Sequence, residues 1–119
     1  MTHELAESTT AGIAEIAEVR RLQEQALSCC DLGRYDEAEM LYRHALDIVD
    51  AALGIDHLQA ASLYRNLGAL EHARGRAAEG EALARWGLKI RERALGPDHP
   101  DVAADKAALA AIVRPSGRS

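Results

Sequence analysis

The side chains that could bind a metal or catalyse a reaction are few in this chain, and their spacing favours neither. Cys29 and Cys30 are adjacent in the sequence. Neighbouring residues on a helix point about 100° apart, so this pair suits neither a disulfide nor a shared tetrahedral metal site. Glu37 and Glu39 are two residues apart and would face different directions on a helix. No pair of carboxylates is therefore placed for acid–base catalysis.

Histidine offers no better catalytic or metal-binding site. His57 and His99 are 42 residues apart, each in the sequence Asp-His, and no third ligand lies at helical spacing from either. They are interpreted as equivalent turn residues of a repeat. The chain also has no glycine-rich phosphate loop, no H-E-x-x-H and no G-x-S-x-G sequence. We predict a protein that is not an enzyme, with no cofactor and no metal site.

The composition is that of one small globular domain. The chain has 119 residues, 48% apolar and 28% charged, with a formal net charge of −5. An acidic chain is not a general nucleic-acid binder held by overall charge. Abundant alanine, the absence of phenylalanine and only 3% aromatic residues predict an all-α fold. No apolar run is long enough to span a membrane and the N-terminus does not resemble a secretory signal, so we expect a cytoplasmic location.

An internal repeat of 42 residues is the strongest pattern in the sequence. Of the 25 residue pairs obtained by aligning residues 33–57 with residues 75–99, 13 are identical. Within each copy an apolar stripe of helical period ends at Gly54 or Gly96, where a helix C-terminus favours a left-handed residue. Asp56 and Asp98 then stand where a capping box would begin the next helix. The period is therefore helix, Gly-Arg turn, helix, Gly-x-Asp-His turn.

The repeat resembles a known family. The segments that carry the resemblance are GRYDEAEMLYRHALDI at residues 33–48, YRNLG at residues 64–68 and LGPDHPDVA at residues 95–103. They are similar to tetratricopeptide repeats of the 42-residue, kinesin-light-chain-like type, over residues 19–113. The resemblance implies an α-solenoid of antiparallel helix pairs, with two full repeats plus a C-terminal capping helix over residues 99–113. We predict a flexible N-terminus at residues 1–10, a repeat domain at residues 11–113 and a disordered tail at residues 114–119.

The resemblance also implies a non-enzymatic binding module, a scaffold or adaptor. In this family the first helix of each repeat lines a concave groove that holds a peptide or protein segment. Asn66 matches the family's groove asparagine, whose amide can donate to and accept from a peptide main chain; the alternative is a polar residue tolerated on an exposed face. Carried over by position, the groove would consist of Arg20, Gln23, Glu24, Leu27, Ser62, Arg65, Asn66, Ala69, His72, Ala104, Ala107, Ala108 and Ala111.

Two further features suggest self-association as the alternative function. Ile13, Ile16 and Val19 form an apolar strip with no earlier helix to cover them, which favours a homodimer through the N-terminal helix; the strip could instead fold back over the first repeat. Residues 1–59 contain 12 acidic and 4 basic residues, whereas residues 60–119 contain 7 and 10. Such a dipolar module could dock an acidic partner or stack on itself, or its charges could simply be solvated.

The single tryptophan, Trp86, allows two interpretations. Trp86 lies one place off the apolar stripe, where the first repeat has His44. It is either a surface anchor for a partner or a residue packed against the capping helix. A regulatory domain that senses a small ligand is a third hypothesis, and no residue pattern singles out such a ligand.

Overall fold

The apolar stripes and glycine turns of the sequence correspond to five helices in the structure. The computed structural model describes the main chain of residues 2–54 and 57–113, and the side chains of residues 12–54 and 57–113. Helices make up most of the described residues, and there is no strand among them. The helices are α1 (Thr2–Asp31), α2 (Tyr35–Ala52), α3 (Gln59–Ala73), α4 (Ala77–Leu95) and α5 (Pro100–Val113). The predicted all-α, helical-repeat class is confirmed.

The helix ends differ from the sequence expectation at the N-terminus. α1 begins at Thr2, whereas the apolar pattern placed its beginning near residue 11. The predicted tail at residues 114–119 lies outside the described residues. No described helix combines the length and the apolar character needed to cross a membrane. The chain divides into two compact units, unit 1 at residues 1–59 and unit 2 at residues 60–119.

Unit 1 is a helical hairpin of α1 and α2. On α2, the apolar residues recur every three or four positions, so that one face of the helix is apolar and packs inward. Burial raises the pKa of the Tyr42 hydroxyl far above its usual range, and the neighbouring Cys30 raises it further. Burial is also the main reason that the pKa of Cys30 is raised, with smaller contributions from Asp31 and Cys29. The buried apolar residues of unit 1 are Val19, Leu22, Ala26, Cys29, Ala38, Tyr42, Ala45, Leu46 and Val49.

The Gly-Arg turns that end α1 and α3 have the same hydrogen bonds. In the first, the Arg34 N–H donates to the Cys29 carbonyl at 2.8 Å and the Gly33 N–H donates to the Cys30 carbonyl at 3.0 Å. The second repeats this pattern forty-two residues later, at 2.8 Å and 3.0 Å. These are Schellman motifs, whose central residue takes a positive φ. The φ angles of 76° at Gly33 and 84° at Gly75 explain why glycine stands at both positions.

The histidines of the Asp-His sequences cap the helices that follow. His57 Nδ1 accepts a hydrogen bond from the Gln59 N–H at 3.0 Å, and His99 Nδ1 accepts one from the Asp101 N–H at 3.0 Å. Each bond satisfies a donor that the first turn of a helix leaves unpaired. Their interpretation as equivalent turn residues is confirmed. The capping-box pattern had assigned this role at α5 to Asp98, and that assignment is wrong; Asp56 lies outside the described residues.

Unit 2 is held by an unusually close approach of α3 and α4. A Cβ atom added to Gly80 would lie 2.6 Å from the Gly68 carbonyl oxygen, and one added to Gly87 would lie 2.8 Å from the Ala61 carbonyl oxygen. The two main chains therefore touch at these glycines. The corresponding residues of unit 1, forty-two positions earlier, are the fully buried Ala38 and Ala45. Glycine in place of these alanines is thus a packing feature of unit 2.

The glycine contacts generate a stability prediction. Gly80→Ala should lower the free energy of unfolding by about 1–3 kcal/mol, because the new methyl group has no space beside the Gly68 carbonyl. Gly12→Ala is the matched control, since nothing lies within 4 Å of its added Cβ. There the change should stabilise by about 0.5–1 kcal/mol through helix propensity. Urea unfolding measures both; stabilisation by Gly80→Ala would contradict the close approach.

Candidate functional site

A buried carboxylate joins the three helices of unit 2. Asp105, on α5, has a side chain only 2% exposed. Its Oδ2 lies 2.8 Å from Nε of Arg91 on α4, although the N–H is not aimed at that oxygen, and its Oδ1 accepts a hydrogen bond from Arg65 on α3 at 3.4 Å. Arg91 also donates to the Ser62 hydroxyl of α3 at 2.8 Å. The charge of one acid is therefore shared by two guanidinium groups from two other helices.

Nothing in the sequence of α5 alone indicates that Asp105 is buried. The missed signal is Arg91, which stands in the apolar stripe of the second repeat where the first repeat has the fully buried Val49. An arginine at a core position requires a carboxylate partner, because an unpaired buried charge is very costly. The uniform alanine background of α5 made Asp105 look like a surface residue.

A second buried acid lies at the end of α3. Glu71 is fully buried, and its Oε1 accepts a hydrogen bond from Arg76 at 3.2 Å, while its Oε2 lies 3.8 Å from Arg74. Arg85 pairs with Glu81 one turn earlier on α4. Four arginines of unit 2 are thus paired with carboxylates of the same unit; they are Arg74, Arg76, Arg85 and Arg91. The excess of basic residues in residues 60–119 is therefore partly compensated within unit 2.

The predicted groove residues of unit 2 lie on α3 and α5, and none of them is buried. Ser62 and Arg65 are engaged by the cluster around Asp105. Asn66 is half-buried, and its side chain makes no hydrogen bond within the described residues. The remaining members are exposed, except for the half-buried Ala108; they are Ala69, His72, Ala104, Ala107, Ala108 and Ala111. The amide of Asn66 thus lies on α3. The ion pair between Arg65 and Asp105 connects this helix to the alanine-rich α5.

The predicted groove residues of unit 1 all lie on α1. Arg20, Glu24 and Leu27 are exposed, Leu27 by 47%, and Gln23 is half-buried. Beside them Arg21 donates two hydrogen bonds to Glu18, and the hydrogen bonding lowers the pKa of the Glu18 carboxyl. Both partners are on the surface, so this pair adds little stability.

The apolar strip at the beginning of α1 is only partly exposed. Ile13 is 62% exposed and Ile16 is half-buried, whereas Val19 is only 2% exposed. Val19 therefore belongs to the core of unit 1, as the alternative of a strip that folds back over the first repeat requires of it, and only Ile13 and Ile16 keep exposed apolar surface. Helical periodicity placed it on the same face as Ile13 but could not show where along α1 that face becomes covered. Trp86, on α4, is 38% exposed.

Comparison with known proteins identifies the helix pairs. A family model described as Tetratricopeptide repeat matches residues 15–93, which run from within α1 into the last turn of α4. The chain belongs to the tetratricopeptide repeat family. No curated protein matches it at a significant level. In this family the repeats generally mediate protein–protein interactions, and they generally form non-enzymatic scaffolds.

The family match can be related to particular helices of this chain. The match includes two helix pairs, α1 with α2 and α3 with α4, and α5 lies beyond it. The described residues contain no group of three histidine, cysteine or acidic side chains placed to hold a metal. The Asp105 cluster is an internal contact of unit 2 that joins α3, α4 and α5.

The cluster generates the second stability prediction. Arg91→Met should lower the free energy of unfolding by about 3 kcal/mol, because Asp105 stays buried without its nearest cation. The double variant Arg91→Met with Asp105→Leu should recover most of that loss, since an apolar pair of similar size needs no charge partner. Arg85→Met, at an exposed pair, should change stability by less than about 0.5 kcal/mol. Urea unfolding that finds the double variant no more stable than the single one would contradict this role.

Proposed function

We propose that this tetratricopeptide repeat protein captures a peptide or protein segment without catalysing a reaction. The binding surface would be formed by the first helix of each repeat, α1 and α3, together with α5. The period of 42 residues supports the kinesin-light-chain-like type of repeat. Cys29 and Cys30 are free thiols, which fits a reducing compartment, and we place the protein in the cytoplasm.

The main support for this proposal is the side-chain amide of Asn66. Its amide is half-buried on α3 and makes no hydrogen bond within the described residues, so it can both donate to and accept from a bound main chain. Partial burial already removes part of its hydration, which lowers the desolvation cost of binding a peptide there. An extended segment with free N–H and C=O groups is the ligand that this amide suits best.

The surroundings of Asn66 support the same ligand. The ion pair between Arg65 and Asp105 holds α3 to α5, so the side chains near it are fixed before a ligand arrives. The exposed residues of α5 include Ala104 and Ala107, whose small side chains let a main chain approach closely. Arg20, Gln23, Glu24 and Leu27 on α1 belong to the proposal through the family resemblance.

Self-association through α1 is the second candidate, and the exposure of Ile13 favours it. An isoleucine that is 62% exposed, with the half-buried Ile16 one turn later, presents apolar surface that a second copy could cover. A two-fold pairing of the two α1 helices would close such a homodimer.

The peptide proposal is tested with peptides selected from a random display library on the purified protein. Asn66→Ala should weaken binding of the selected peptides about tenfold, the effect of losing one or two main-chain hydrogen bonds. Arg85→Ala, on α4, should leave binding unchanged. Fluorescence anisotropy of labelled peptides measures both constants. Peptides that bind the wild type and the Asn66→Ala variant equally well would contradict the assigned role of this amide.

The homodimer has a separate test. Ile13→Glu with Ile16→Glu should convert a dimer of wild-type chains to a monomer, because a buried carboxylate pair would oppose the contact. Light scattering after size exclusion gives the mass of each, and circular dichroism verifies that the variant remains helical. A wild type that is already monomeric at about 50 μM, an ordinary working concentration, would contradict this candidate.

A further inference from the structure

Three depressions lie in a row along one side of α2 in unit 1, and together they form one groove, called here the α2 groove. The first and second depressions share Glu37 and Leu41, and the second and third share His44 and Asp47. The groove therefore follows the whole of α2, which has 18 residues and is roughly 27 Å long. Residues of α1 complete it at both ends. None of its lining residues belongs to the proposed peptide-binding surface.

Apolar side chains line the α2 groove along its length. Leu41 and Ile48 are half-buried, Met40 is 71% exposed, and Leu32 at one end is 68% exposed. Ile90, which corresponds to Ile48 in the second repeat, is only 3% exposed. The same isoleucine is thus covered in one repeat and open in the other. Covering the groove would remove its apolar surface from water, which favours binding.

The charged residues of the α2 groove are mainly acidic. Arg43 is already compensated, because it lies 3.0 Å from Glu39 one turn earlier. Arg34, at the beginning of α2, is the one lining cation to which the described residues offer no ion pair. Three lining carboxylates make no ion pair or hydrogen bond with another described side chain; they are Glu15, Glu37 and Asp47. This excess of negative charge favours a partner that supplies cations.

The main chains of α1 and α2 favour a helical occupant. Their N–H and C=O groups are bonded within each helix, so an extended segment would find no main-chain partner along the groove. A helix satisfies its own main chain, and its side chains fit the groove between two packed helices. A helix about as long as α2 would fill the groove from end to end.

We propose that the α2 groove binds a basic amphipathic helix of a partner protein. The apolar face of that helix covers Met40, Leu41 and Ile48. Lysine or arginine side chains at the edges of this face pair with Glu37 and Asp47. These two carboxylates are ten residues apart, or roughly 15 Å along α2, so the cations that pair with them are about three helical turns apart. This interaction is additional to the function proposed above, which uses other surfaces.

Synthetic peptides of 18 residues, the length of α2, test the class of occupant. The first has leucine on one helical face and lysine elsewhere, and the second has glutamate in place of lysine. The third contains the leucines and lysines of the first in an order without helical period. At about 50 mM salt, where exposed charges still interact, the first should bind and the other two should bind at least about tenfold more weakly. Fluorescence anisotropy of labelled peptides measures all three.

Three results of this comparison would overturn the proposal. The first is a wild type that does not bind the leucine–lysine peptide at about 100 μM, where a weak specific complex is still detected. The second is equal binding of the glutamate peptide, which would contradict the charge complementarity. The third is equal binding of the peptide without helical period, which would contradict a helical occupant.

Charge reversal locates the contact on the protein. Glu37→Lys and Asp47→Lys should each weaken binding of the leucine–lysine peptide about five- to tenfold, because each places like charges opposite one another. Asp50→Lys is the matched control, since it makes the same charge change at an exposed residue of α2 that does not line the groove. It should change binding less than about twofold, and circular dichroism verifies the fold of each variant. Equal weakening by Asp50→Lys would show attraction by net charge alone and would overturn the assigned groove.

Two further variants separate this groove from the other surfaces of the chain. Asn66→Ala should leave binding of the leucine–lysine peptide unchanged, because Asn66 lies in unit 2 and the groove in unit 1. Loss of binding in that variant would assign the peptide to the surface of α3 and overturn the inference. The Ile13→Glu, Ile16→Glu variant should sediment as a monomer without peptide. A larger mass that Asp47→Lys abolishes would show that a second copy occupies the groove, and the proposed partner would be wrong.

Discussion

The carboxylate of Asp105 cannot be buried in unit 2 unless cations from other helices reach it. Arg91 of α4 and Arg65 of α3 do so, and Arg91 also donates to Ser62 on α3. An ion pair of this kind adds little net stability, because removing the charges from water costs about as much as their attraction returns. Its effect is on position: apolar side chains can slide past one another, whereas these groups satisfy their charges in one arrangement of α3, α4 and α5. The side chain of Asn66 lies on a helix that is held in this way.

The two units solve the same packing problem with different residues. Unit 1 places Val49, Ala38 and Ala45 where unit 2 places Arg91, Gly80 and Gly87. In unit 2, the main chains of α3 and α4 come into contact at the glycines, so the space left for side chains there is small. The interior of unit 2 thus has little space for side chains between α3 and α4. Beside α5 it contains the charged groups of Asp105 and Arg91. Equal length and equal turns therefore do not mean equal interiors.

Local interactions made most of the fold predictable from the sequence. The Gly-Arg turns need a left-handed residue, which is why Gly33 and Gly75 marked the helix ends correctly. The helical period of the apolar stripe predicted that α2 has one buried face, because period and burial coincide in an amphipathic helix. Asp105, Glu71 and Val19 were not predicted, since their burial depends on what other helices supply. Periodicity gives the direction of a side chain, and only the neighbouring helix decides whether that direction leads to water.

In a repeat protein, the positions at which the repeats differ are the ones that make one surface different from another. Some residues are shared by both copies and form the same local structure in each helix pair. They include the glycines of the turns and the arginines paired with a glutamate one turn earlier. They cannot distinguish one face from another. Met40 against Ala82 and Asp47 against Lys89 are differences at equivalent positions of α2 and α4, so side-chain size and charge change while the spacing stays the same. Because both helices rise by the same amount per residue, each such difference falls at the same height along its helix, and the two faces can be compared residue by residue.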